Sequence, residues 1–121
     1  MTFGKLVGTA VVATTLWAEW PASTFAHGYL VRSYPAAKAH LAESPHHIRL
    51  VFSLKVDPGY SVVQLRDGEG AVLATEAMPQ RSRNFSMPVP PLAPGRYHVS
   101  YRMLSPDGDF LEGRVDFVVG D

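Results

Sequence analysis

Between Arg96 and Leu104 the chain alternates strictly, with Tyr97, Val99, Tyr101 and Met103 on one parity and His98, Ser100 and Arg102 on the other. A period of two gives each set its own face of an extended strand, whereas a helix would scatter both around its axis. Shorter runs repeat the pattern. Tyr29 to Arg32 opens with a strand ended by Pro35, and Ile48 to Phe52 puts Ile48, Leu50 and Phe52 on one face. Ser61–Arg66 and Ala71–Glu76 flank Asp67-Gly68-Glu69-Gly70, a hairpin turn signal. Phe85–Val89 and Gly113–Val119 complete the set, the latter with Val115, Phe117 and Val119 inward. Pro90-Pro91-Leu92-Ala93-Pro94-Gly95 lacks the backbone donors of a central strand and reads as a crossover loop. Only Pro35–Ser44 has room for a short helical turn. Seven short strands without an internal repeat or a linker predict one all-β domain, a small antiparallel β-sandwich.

The first residues follow a different logic. Lys5 precedes an apolar run from Leu6 to Ala18, and Glu19, Trp20 and Pro21 end it. A bilayer span needs about 20 apolar residues, so this run is too short to cross and matches the core of a signal peptide. Thr24 and Ala26 supply small side chains at the −3 and −1 positions of a cleavage site. The expectation is a signal peptide over residues 1–26 and a mature domain over residues 27–121; an uncleaved N-terminal anchor or a disordered leader is the alternative. Cleavage would make His27 the first residue, with a free amine and an imidazole on one backbone unit. Those two nitrogens can close a chelate ring on a single metal ion, which an internal histidine cannot do.

Composition narrows the chemistry further. The chain carries 11 Lys and Arg against 11 Asp and Glu. With no basic excess there is no electrostatic footprint for nucleic acid. No second apolar stretch reaches membrane length, so no membrane span is expected in the mature chain. Cysteine is absent, which removes disulfides, thiol nucleophiles and thiolate metal sites together. Any metal must be held by nitrogen, carboxylate oxygen or thioether sulfur.

Asp107 and Asp109, separated by Gly108, can aim both carboxylates the same way from a turn, or can simply cap it. The remaining candidates are weaker. His46 and His47 are adjacent, so in a strand they point to opposite faces. His40 belongs to the loop after the first strand, and His98 to the polar face of its own. Met78 and Met87 are too few for a soft Cu(I) site and read as core fillers, as does Met103. No G-x-S-x-G elbow or base–nucleophile spacing suggests hydrolysis. Asn84-Phe85-Ser86 fits a glycosylation tripeptide that arises often by chance.

Several segments, in order, resemble one known family. His27-Gly28-Tyr29-Leu30-Val31-Arg32-Ser33-Tyr34-Pro35-Ala36 is similar to the start of mature periplasmic copper-resistance proteins of the CopC type. The likeness continues through Ser44-Pro45, Ile48 to Ser53 and Leu92-Ala93-Pro94-Gly95-Arg96-Tyr97. It closes with Tyr101 to Asp109 and Glu112-Gly113. It implies an Ig-like β-sandwich or Greek-key barrel of about seven strands, export to the periplasm, and the handling of copper ions without catalysis. The family's Cu(II) site joins the N-terminal histidine, a carboxylate after the Phe-Ser pair, and the aspartate and histidine of a D-x-H turn. On this chain His27 and Asp107 match. Leu54 stands at the carboxylate position and Asp109 at the histidine position. The resemblance therefore implies a metal set of His27, Asp107 and Asp109, weakened by loss of an imidazole, with Cu(II) favoured over Cu(I). It also implies an inner-membrane copper transporter as partner. The competing reading, carried by Leu54 and Asp109, is an Ig-like interaction module with a degraded metal site. An oxidase built on a copper brace ranks last, because no second imidazole stands at the expected position.

Overall fold

The computed structural model describes residues 28–120; His27, the expected leader over residues 1–26, and Asp121 lie outside the described residues. The strands are β1 (Leu30–Tyr34), β2 (Ala39–Leu41), β3 (His47–Asp67), β4 (Val72–Ala77), β5 (Ser82–Pro88), β6 (Gly95–Leu104) and β7 (Phe110–Val119). Among the described residues no helix is long and apolar enough to cross a membrane. The all-β class expected from the alternation is the observed one.

β3 organises the architecture. Its first half pairs antiparallel with β1 on one side and β5 on the other. Its second half pairs with β4 and β6, and β6 continues to β7 and then to β2. A single hydrogen-bonded path thus curls over on itself and encloses one core. The two strands expected at Ile48–Phe52 and Ser61–Arg66 are the two ends of this one 21-residue element. Register shifts mark the bend, between Val51 and Val56 against β5 and between Asp57 and Val62 against β6. A strand that passes from one layer to the other must bend where it crosses. Pro58, Gly59 and Tyr60, the last at φ 64°, occupy that corner. Buried Ser61 ties it to β6, its hydroxyl donating to the Asp57 carbonyl at 2.5 Å and accepting from the Leu104 N–H at 2.8 Å.

The segment Pro35–Ser44 corrects the sequence reading. In place of a helical turn, Ala39–Leu41 pairs parallel with Phe117–Val119 on β7. Lys38 N–H donates to the Asp116 carbonyl at 2.6 Å, and Gly120 N–H donates to the Leu41 carbonyl at 2.7 Å. The open edge of β7 offers backbone partners that a single local turn could not supply in full. His40 therefore sits in a strand rather than a loop, and its Nε2 bonds the Gly120 carbonyl.

The core fills the space between the layers. Ile48, Leu50, Phe52, Phe85 and Met87 from the first layer meet Val63, Leu65, Val99, Met103 and Phe117 from the second in one cluster. Phe52 meets Tyr101 edge-on at 5.4 Å between ring centroids. Met78, Met87 and Met103 are all buried there, as core-filling side chains would be. The crossover loop is pinned by the Tyr97 hydroxyl, which donates to the Ala93 carbonyl four residues upstream at 2.5 Å. That bond has the form of the tyrosine corner of Ig-like sandwiches.

Candidate metal centre

The turn joining β6 to β7 carries both candidate carboxylates. Ser105 and Asp109 close it, the Ser105 N–H donating to the Asp109 carbonyl at 2.8 Å, and Gly108 N–H donates to the Ser105 carbonyl at 3.0 Å. Three residues remain in the loop, with Pro106 leading and Gly108 at φ +93°. This is the three-residue hairpin form in which a glycine takes the left-handed position. The Ser105 side chain, almost fully buried, organises the loop from beneath. Its hydroxyl donates to Asp107 Oδ1 and accepts from the Asp109 N–H at 3.2 Å. Asp107 and Asp109 themselves are exposed. The turn therefore holds its backbone rigid while presenting two carboxylates at one end of the sandwich.

Gly28 and Tyr29 are fastened at the same end. Tyr29 N–H donates to Ser53 Oγ at 2.9 Å, and Ser53 N–H donates back to the Tyr29 carbonyl at 2.9 Å. Gly28 then runs so close to the body of the fold that a Cβ placed on it would meet Leu54 Cδ2 at 2.7 Å and Leu111 Cδ2 at 3.3 Å. Its φ of +83° adds a second reason for glycine. Leu111 lies two residues beyond Asp109, so the residue following His27 rests beside the start of β7. Leu54, which stands where the family resemblance calls for a carboxylate, packs partly buried against the core and under Gly28. The Leu54 side chain itself offers no donor atom to a metal. Among the described residues no three His, Asp or Glu side chains gather to hold a metal. His27 itself lies outside the described residues.

The surroundings of the turn are charged and ordered. Arg102 lies 3.6 Å above the Phe110 ring and pairs with Glu112 at 2.6 Å, just outside the loop. Asp57 at the β3 corner pairs with Arg81 at 2.7 Å. The other histidines are remote from this arrangement in the fold's register. His98 pairs across strands with Arg66 and Asp116 on the outer face of the second layer. Partial burial first, and the Arg114 guanidinium second, hold its pKa below the ordinary imidazole value. His46 precedes β3 and His47 begins it; both line one surface trough rather than opposite faces of a strand.

Sequence reasoning overlooked Ser105, Ser53 and Gly28. A serine two residues ahead of an aspartate in a Pro-Asp-Gly turn is a local signal for side-chain capping. Gly28 carried no such signal, because the atoms that exclude a side chain there come from β3 and β7.

Residues 30–120 match the family model described as CopC domain. The chain belongs to the CopC domain family. This CopC-domain chain superimposes on the crystal structure of CopC from Methylosinus trichosporium OB3b with a TM-score of 0.72 and 38% identity, covering 77% of this chain and 93% of that one. Against PcoC, a methionine-rich copper resistance protein from Escherichia coli, the TM-score is 0.66 at 27% identity, covering 77% and 98%. In sequence it is 28% identical over 118 residues to Protein YobA of Escherichia coli K12, which spans 94% of this chain and 89% of that protein.

Proposed function

We propose that this CopC-domain protein is an exported carrier that binds Cu(II) at its mature N-terminus, with copper as cargo and no chemical turnover. In this reading residues 1–26 are a signal peptide removed on export to the periplasm. His27 supplies its α-amine and imidazole, and Asp107 and Asp109 supply or orient carboxylates. An α-amine titrates near 8 and an imidazole near 6.5, so at neutral pH copper displaces only about one proton to gain both nitrogens. An inner-membrane copper transporter would deliver or receive the ion. The observation that carries the proposal is the fastening of the Gly28–Tyr29 segment. Gly28 and Tyr29 are held against Leu54, Leu111 and Ser53, at the end of the sandwich where the Asp107–Asp109 turn emerges. The likeness to PcoC, a copper resistance protein, supports it from outside the chain.

The test is a Cu(II) titration of the processed protein beside a form carrying one extra residue ahead of His27. Tight binding that disappears on extension is the expected result, because the extension converts the chelating amine to an amide. A second reading is favoured by Leu54, which fills with hydrocarbon the corner where the family resemblance calls for an oxygen donor. It makes the protein an Ig-like interaction module with a degraded metal site. Absence of binding in both forms is the result it requires.

A further inference from the structure

The outer face of the first layer carries a shallow trough of about 780 Å³ that runs across β1, β3 and β5, and none of the residues of the metal proposal lines it. Its floor follows from the register. Ile48, Leu50 and Phe52 point into the core, so His47 and Arg49 of β3 point outward. Arg49 stands opposite Tyr34 of β1 and Ser86 of β5, and the next row places Arg32 and Asn84 on either side of Val51. Arg32 and Arg49 are thus diagonal neighbours, about 7–8 Å apart at the backbone. With His46 at the rim, four basic side chains line the trough, and no Asp or Glu does.

This clustering is unusual for a chain with equal numbers of acids and bases. The ion pairs of the described residues lie elsewhere, at Arg81–Asp57, Arg102–Glu112 and Arg114–Asp116. Among the described residues neither Arg32 nor Arg49 has an ionic partner. The corresponding hollow on the second layer does hold counter-charges, since Glu69 and Asp116 accompany Lys38, Arg96 and Arg114 there. Like charges held together without a counter-charge repel, and a ligand bearing carboxylates relieves that repulsion as it binds.

We propose that this trough is a docking groove for an acidic, extended segment of a partner protein. Its volume is at the upper end of the range of small-molecule clefts, too large to be filled by a single inorganic anion. Arg49 lies on the central strand and Arg32 beside it on β1, so an extended segment laid across the strands meets both. Tyr34, half exposed, adds an aromatic contact, and Asn84 and Ser86 add hydrogen-bonding side chains beside the arginines. The inference is independent of copper and goes beyond the carrier reading.

Fluorescence anisotropy of a labelled oligo-glutamate peptide, titrated with the metal-free protein at low salt, tests it. The double variant Arg32→Gln/Arg49→Gln should bind about tenfold more weakly, and Arg32→Lys/Arg49→Lys should recover most of the loss. Arg114→Gln, on the opposite layer, should bind as the parent does. Rising salt should weaken the complex, as screening demands. The proposal is overturned if an oligo-glutamine peptide binds equally well, or if the double glutamine variant retains full affinity while its circular dichroism melt is unchanged. Binding of phosphatidylglycerol vesicles without binding of the peptide would overturn it as well.

Discussion

Replacing Gly28 by alanine perturbs the docking of the Gly28–Tyr29 segment without touching any proposed ligand. Two penalties act together. A non-glycine residue held at φ +83° is strained by about 1–2 kcal/mol. The new methyl would also stand 2.7 Å and 2.8 Å from Leu54 Cδ2 and Cγ, well inside ordinary contact. Leu54 is only partly buried, so it can leave its preferred rotamer for about 0.5–1.5 kcal/mol. Against roughly 1.5–3.5 kcal/mol of strain stand the two Tyr29–Ser53 hydrogen bonds, each contributing about 1 kcal/mol net. The segment therefore escapes by undocking, and the loss of global stability is capped near what the segment contributed, about 2 kcal/mol or less. Cu(II) affinity should fall severalfold, up to roughly tenfold at the upper end of the strain, in proportion to the docked fraction. Urea unfolding followed by circular dichroism and a Cu(II) competition titration measure the two effects separately. Gly28→Ala/Leu54→Ala removes the overlap but not the backbone strain, so it should recover part of the affinity. Unchanged copper binding in Gly28→Ala, or no recovery in the double variant, would refute the link between docking of this segment and the metal.

Three further outcomes follow from other parts of the fold. Ser61→Ala leaves the partly buried Leu104 N–H without its acceptor at the β3 corner, and should lower unfolding stability by about 1–3 kcal/mol in a urea titration. Asp109→His restores an imidazole to the turn and should strengthen Cu(II) retention in a chelator competition, since Cu(II) prefers nitrogen to carboxylate oxygen. His98 has a folded pKa below its unfolded value, so the unfolded chain takes up the proton first as pH falls. Its contribution to stability is present above about pH 6.5 and is lost as the pH drops toward the folded pKa. His98→Gln should therefore flatten the decline in stability below about pH 6.5, and NMR titration should show the parent imidazole titrating below that value.

The sequence alone determined that the regularly alternating runs are extended and which of their side chains share a face. That information is local: a period of two along Tyr97–Met103 or Ile48–Phe52 assigns each side chain to core or solvent whatever the strand later pairs with. The burial of Tyr97, Val99 and Met103 and of Val115, Phe117 and Val119 follows it directly. Turn chemistry is local too, and Pro106-Asp107-Gly108 could be read as the loop that presents two carboxylates.

Tertiary structure decided what depends on contacts between distant residues. No local pattern in Ala39–Leu41 announces a strand, because its partner is β7, more than seventy residues away. Nor does periodicity reveal that Ile48–Phe52 and Ser61–Arg66 are one strand bent across both layers. The need for glycine at position 28 arises from Leu54 and Leu111, and the unpaired cations of the trough are gathered from β1 and β3 by their register. A side chain's direction is set by its own backbone, whereas its neighbours are set by chain closure over long separations, and only the folded chain states those.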